Sequence, residues 1–183
     1  MKEIFRTYRF RLMPTQEQKT SLDKHFGCVR YVFNHFLNER KEQYQANKKS
    51  DSYYTQAAIL TQLKKQEETV WLKEVNSQSL QFALRCLDTA YVNFFRGNAK
   101  FPRFKKKKNK NAFTVPQAIR LRENKLYIPK FKEGIKIIKH RQIKGEISKC
   151  TFSKTPSGKY FVSVLSKEEY QSKEKLAQYA GLI

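Results

Sequence analysis

The sequence predicts an α+β fold in which a small β-barrel is split by an inserted block of about four helices. Three observations predict it. The chain opens on "EIFRTYRFRLMP", which alternates apolar and basic residues with the period of a half-buried strand. Residues 15–97 then place apolar side chains at helical spacing. After residue 112 the apolar runs become short and are broken by proline and turn residues, as in a series of strands. A single strand ahead of four helices leaves its backbone groups without partners, so it is expected to pair with the late strands. The boundaries are therefore 1–14 for the first strand, 15–97 for the helical insertion, 98–112 for a basic linker, 113–168 for the rest of the barrel and 169–183 for a link leading out of it.

In the opening strand Tyr8, Phe10 and Leu12 share one face, Thr7, Arg9 and Arg11 the other, and Pro14 ends it. Thr15 with Gln18 forms a capping-box pattern, and Gly27 is a plausible C-cap, so a short helix is expected over Thr15–Phe26. A second helix begins near Cys28, with Val29, Val32, Phe33, Phe36 and Leu37 inward. The two resemble a helix-turn-helix pair over residues 15–47, a weak signal because most such pairs are packing units. A third helix over about 51–65 is expected to bury Tyr54, Ala58, Leu60 and Leu63. Trp71 and Leu72 read as a core plug. Asn76 or Ser77 caps a fourth helix whose stripe is Leu80, Leu84, Leu87, Tyr91 and Phe94, and Gly97 stops it. Thr155-Pro156-Ser157-Gly158 marks a hairpin between "ISKCTFSK" and "KYFVSVLS".

The net charge of +22 is unevenly spread. Residues 15–95 carry eleven basic and nine acidic residues, whereas residues 96–149 carry eighteen basic and three acidic. The densest stretch, "FPRFKKKKNKNAF", has six basic residues, no acid and an aromatic at each end. A field of that sign attracts a polyanion. No long apolar run or basic amphipathic anchor accompanies it, which favours nucleic acid over a membrane. Lysine and arginine neutralise phosphates, and Phe94, Phe95, Phe101, Phe104 and Phe113 offer faces for unpaired bases. The plainer reading is that the phenylalanines anchor the loop and the lysines face water; Phe101 and Phe104 are expected to be anchors.

Catalysis finds little support. His25, His35 and His140 have no acid at metal-ligand spacing, there is no P-loop or nucleophile elbow, and a two-metal nuclease needs converging carboxylates where residues 96–149 offer Glu123, Glu133 and Glu146. No catalytic residue, metal or cofactor is expected. Cys28, Cys86 and Cys150 lack zinc spacing and are expected to be small, reduced, buried apolar side chains of a cytoplasmic protein.

The blocks "YRFRLMPTQEQ", "GCVRYVFNHFLNER", "EETVWLKEVNSQSLQFALRCLDTAYVNFFRG" and "KFPRFKKKKNKNAFT" together resemble the amino-terminal half of TnpB (OrfB) proteins of bacterial and archaeal transposons, in family order over residues from about 4 to 166. The resemblance implies a wedge-type β-barrel split by a helical recognition insertion, a guide RNA, and recognition of a short motif in double-stranded DNA. It places motif-reading positions at Tyr53, Ser77, Gln81 and Thr114. Ser77 stands where a relative carries lysine, so the preferred motif would differ. The RNA-facing cations it suggests are Arg6, Arg9, Arg103, Lys105 and Lys106. Family members continue into an RNase H-like nuclease domain with three catalytic acids and zinc-binding cysteines. Here the sequence reaches "YAGLI" without them. The expectation is therefore a non-cleaving recognition half in a bacterial or archaeal cytoplasm, associated with the nucleoid, with a separate polypeptide as a conceivable source of the nuclease half. The competing readings are a stand-alone sequence-specific DNA-binding protein or repressor, a decayed transposase fragment, and an unrelated basic RNA-binding or ribosome-associated protein.

Overall fold

The computed structural model describes residues 2–48, 50–108 and 111–170. Strand β1 (Lys2–Met13) buries Tyr8, Phe10 and Leu12 and exposes Arg9 and Arg11, as its alternation requires. It does pair with late strands: with β7 (Tyr160–Tyr170) along Lys2–Arg11, and with β5 (Ile135–Ile138) along Arg11–Met13. With β2 (Asn111–Val115), β3 (Arg120–Arg122), β4 (Lys125–Tyr127) and β6 (Glu146–Lys154), they form one antiparallel seven-stranded sheet in the order β2-β6-β7-β1-β5-β4-β3. The sheet curls into a half-barrel. The Thr155–Gly158 turn closes the β6–β7 hairpin, with Gly158 at φ 79° and its N–H donating to the Thr155 carbonyl at 3.0 Å.

The helices lie between β1 and β2 in the chain. The capping box forms: Thr15 Oγ1 accepts from the Gln18 N–H, and Gln18 Oε1 accepts from the Thr15 N–H at 3.1 Å. The expected break at Gly27 is absent. One 32-residue helix, α1 (Gln16–Asn47), runs through it, so the residues expected to form a helix pair contain no turn. An interior glycine costs about 1 kcal/mol relative to alanine. Leu22, Phe26, Cys28, Val29, Val32, Phe33, Phe36 and Leu37 form one buried stripe on both sides of Gly27, and that burial is worth far more. Lys48, in the left-handed region at φ 55°, ends the helix and donates to the Tyr44 carbonyl at 3.0 Å.

Helix α2 (Tyr53–Leu63) buries Leu60 and Leu63, but Tyr54 is 82% exposed and Ala58 is exposed too. The inward position belongs to Gln56, which apolar periodicity could not register. A 3-10 helix (Glu67–Glu74) buries Leu72 fully and leaves Trp71 half-buried against Tyr31. Helix α3 (Ser77–Phe95), capped by Asn76, buries Leu80, Leu84, Leu87 and Tyr91; Gly97, at φ 73°, follows it. Cys28 and Cys150 are buried as expected, whereas Cys86 is exposed on α3. The sheet and the helices share one core, in which Phe113 stacks on Phe152 and meets Phe26 edge-on.

Two polar groups sit inside that core. Arg40 of α1, 3% exposed, donates to Gln56 Oε1 at 3.0 Å and to Asp88 Oδ1 at 2.8 Å. His25 bridges α1 to the start of α3: its Nδ1 lies 2.7 Å from the Ser21 carbonyl, and its Nε2 accepts from the Asn76 N–H at 3.1 Å. An acceptor at Nε2 requires the neutral ring, with the proton on Nδ1. Among the described residues no helix is long and apolar enough to cross a membrane. The "YAGLI" segment and the rest of residues 171–183 lie outside the described residues.

Candidate nucleic-acid interface

The basic linker is fastened to α1. Asn34 makes a paired contact with the Lys105 backbone, its Oδ1 accepting from the N–H at 2.8 Å and its Nδ2 donating to the carbonyl at 2.9 Å. Arg30 Nη1 donates to Asn111 Oδ1 at 3.0 Å at the far end of the run. Lys105 is exposed as a residue, yet its ammonium lies 4.0 Å from the Phe33 ring centroid. Desolvation there pulls its pKa below the ordinary lysine value. Lys105 therefore acts as a tether, while Arg103, Lys106, Lys107 and Lys108 are exposed around it. The two phenylalanines expected to anchor the loop do so only partly. Phe101 meets Tyr91 and Phe94 edge-on, and Phe104 lies under the Lys41 ammonium at 5.2 Å, but both remain exposed. Lys107, Lys108, Arg30 and Lys154 line one open groove of about 620 Å3 beside Asp23.

The outer face of the sheet carries a second set of cations. Strand register puts Arg122 opposite Lys125, Lys125 opposite Lys136, and Lys136 opposite Met13. Met13 shares its face with Arg9 and Arg11. All five cations are exposed, and among the described residues none makes an ion pair. Like charges directly opposite on neighbouring strands repel. The folded chain bears that repulsion, and an anion lying across the strands would relieve it. Arg9 holds its guanidinium 4.4 Å over the Phe161 ring. Arg6 has the opposite parity and does not join this face. Its Nε lies 3.6 Å from Glu168, which is 8% exposed and also accepts the Tyr8 hydroxyl at 2.5 Å.

The four positions suggested for DNA gather around the first half of α3, but not as four free side chains. Gln81 is exposed and lines a cleft with Gln78, Phe82 and Arg85 on one side and Pro116 and Gln117 on the other. Tyr53 is joined to that cleft by Arg85, whose guanidinium is 5.3 Å from its ring centroid. Thr114 is 8% exposed and its hydroxyl is engaged with Thr151 at 2.9 Å. The Ser77 hydroxyl accepts from Lys64 Nζ at 2.7 Å. Burial, then Lys130 and Lys73, lower the Lys64 pKa. Sequence reasoning missed Lys64, Arg85 and Gln117. Lys64 lies thirteen residues before Ser77 and reaches it only through the bend after α2; no local pattern announces that contact. Among the described residues no group of three or more His, Cys, Asp or Glu side chains comes together to hold a metal ion.

A half-barrel with cations aligned across its outer face, joined to helices by a clamped lysine loop, is the architecture of a nucleic-acid-binding protein. Residues 1–49 match the family model described as a helix-turn-helix domain of the OrfB/IS605 type; within that segment lie β1 and the uninterrupted α1. The chain is 36% identical over 172 residues to a Streptomyces pristinaespiralis protein provisionally named an RNA-guided DNA endonuclease, covering 92% of this chain and 43% of that protein. It is also 36% identical over 164 residues to the provisionally named RNA-guided DNA endonuclease InsQ of Escherichia coli K12, covering 88% and 40%. Virulence protein VsdF of Salmonella dublin is 33% identical over 116 residues, 58% of this chain and 98% of that protein. The chain belongs to the TnpB/OrfB family, and it spans about two fifths of the length of the two endonuclease-named relatives. Membership supports nucleic-acid binding in a transposon-associated protein.

Proposed function

We propose that this chain is the recognition half of a transposon-associated RNA-guided protein. It holds a guide RNA along the basic linker and the outer sheet face, addresses a short DNA motif from the start of α3, and does not itself cut. The observation that carries this reading is the register of Arg122, Lys125 and Lys136 beside Arg9 and Arg11: five exposed cations without ion pairs among the described residues, spaced by strands about 4.8 Å apart. A phosphodiester chain crossing the strands meets several of them at once.

On the DNA side, Gln81 is the free base-reading group, since an exposed amide can address adenine through two hydrogen bonds. Lys64 supplies at Ser77 the cation that the serine itself lacks. Tyr53 and Thr114 then act by position, Tyr53 by steadying Arg85 and Thr114 by fixing the strand that leads to Pro116 and Gln117. The rival reading, a stand-alone DNA-binding protein using a helix pair, loses the pair itself, because Gln16–Asn47 form one uninterrupted helix.

The test is to purify the chain from cells carrying the gene with its own downstream flank and to sequence the RNA retained. Retention of RNA from that flank supports the proposal. Duplex binding without RNA would favour the repressor reading, and RNA binding indifferent to the flank would favour a general RNA-binding protein. Incubating the complex with motif-bearing DNA and Mg2+ should give no cleavage. Cutting by the chain alone would overturn the non-cleaving part, while cutting only with an added second polypeptide would identify the partner.

A further inference from the structure

Where α1, α3 and the basic linker meet, at the opposite end of α3 from Gln81, an aromatic pocket opens. It is lined by Tyr44, Tyr91, Phe94, Phe95 and Phe101 over a floor that includes Arg40, with Gln45 and Ser50 at its rim, and encloses about 300 Å3. That volume is the lower end of small-molecule sites and suits one planar ring system. Tyr91 stacks near Phe95 at 6.2 Å, and Phe101 meets Tyr91 and Phe94 edge-on at 5.6 and 5.2 Å. Phe95 is nevertheless 68% exposed, and Tyr44 and Phe101 are exposed as well. Two further features mark this as a binding pocket with polar chemistry rather than a bare apolar face. Tyr91 is 6% exposed, and its hydroxyl is buried and, among the described residues, has no hydrogen-bond partner. A ligand with a polar edge would satisfy it. Cations accompany the pocket: Lys48 lies 5.4 Å over Tyr44, Lys41 lies 5.2 Å over Phe104, and the exposed Arg96, Lys100 and Arg103 are close in the chain to Phe95 and Phe101. Asp88, which touches the floor, is paired with Arg40 at 2.8 Å.

We infer that this pocket takes one unstacked base of the RNA that runs along the basic linker. The aromatic faces receive the ring, the Tyr91 hydroxyl meets its polar edge, and the surrounding lysines and arginines hold the phosphates on either side. RNA is favoured over the DNA motif because Phe94 and Gln81 are thirteen residues apart on one helix, about 20 Å. The inference rests on the RNA-holding reading above and adds to it a base-specific subsite.

The test uses the full chain with a fluorescently labelled, unstructured twelve-nucleotide oligoadenylate RNA, and with the same backbone made abasic throughout. Phe95→Ala removes a mostly exposed ring and leaves the core intact; Tyr91→Phe removes only the hydroxyl. Phe95→Ala should weaken oligoadenylate binding about 5- to 150-fold, the range for loss of one base–aromatic stack. The salt dependence should stay unchanged, since no phosphate contact is lost. Tyr91→Phe should weaken binding in the same sense, and neither variant should alter binding of the abasic strand. Wild-type chain that binds neither strand would sink the RNA-holding reading itself. Wild-type binding that Phe95→Ala leaves unchanged, or weakens equally for the abasic strand, would sink the pocket alone. A change in oligomeric state without a change in RNA affinity would assign the pocket to a second copy and overturn the inference.

Discussion

Arg40 is where the three helices depend most on one side chain, and Arg40→Met tests that dependence. The substitution keeps most of the volume and removes the guanidinium that donates to Gln56 at 3.0 Å and Asp88 at 2.8 Å, and that lies 4.9 Å from the Tyr91 ring centroid. Breaking a buried ion pair by deleting one partner costs about 3–5 kcal/mol, because the other charge is left without compensation. Asp88 is 38% exposed and regains water, which moves the cost toward the lower end. Gln56 is fully buried, and although its Nε2 still donates to the Phe36 carbonyl, its Oε1 is left with no donor. The expected loss is about 3 kcal/mol. For a chain of this size that lowers the melting temperature by about 6–12 °C. Urea denaturation followed by circular dichroism measures it, and Asp88→Asn should cost less alone and add little in the Arg40→Met background. A loss below about 1 kcal/mol, or full additivity of the two changes, would refute the reasoning.

Three further outcomes follow from single contacts. Asn34→Ala removes both hydrogen bonds to the Lys105 backbone; at this exposed site about 1 kcal/mol is at stake, so trypsin should cut the Lys105–Lys108 run about fivefold faster with little change in global stability. His25 is held neutral, its pKa lowered chiefly by burial. The unfolded chain therefore binds the extra proton first, so stability is full above about pH 6.5 and falls as the pH drops from there toward the folded-state pKa. His25→Asn should flatten a urea titration across that window. Gly145 has φ 70°, and an added Cβ would clash with the Lys167 carbonyl oxygen, whereas Gly158 at φ 79° has open space. Gly145→Ala should thus cost more than about 2 kcal/mol and Gly158→Ala about 1, compared by urea midpoints.

The sheet was legible because Tyr8, Phe10 and Leu12 alternate so cleanly that one face had to be buried, and because the Thr155–Gly158 turn fixes a hairpin. The long helix was not, because a half-buried glycine with nothing near its missing Cβ looks the same in sequence as a glycine that ends a helix. Gln56 escaped notice for a related reason: it is buried by hydrogen bonds to Arg40 and the Phe36 carbonyl, and polar pairing across 16 and 20 residues leaves no period. The basic character of the interface could be read as charge. Its arrangement could not, since the line Arg122–Lys125–Lys136 depends on the register of strands only three or four residues long. The pairing of Lys64 with Ser77 and the tethering of Lys105 on Phe33 likewise arise from packing between elements.

The central claim is that the linker lysines grip phosphates instead of merely facing water, and the salt dependence of binding measures this directly. Lys106, Lys107 and Lys108 would be changed together to glutamine, leaving the Lys105 tether in place, and affinity for single-stranded RNA followed across salt concentrations. If all three hold phosphates, the slope of log affinity against log salt becomes shallower by about 2. A slope that does not move would show that these lysines are solvated bystanders and would contradict the account.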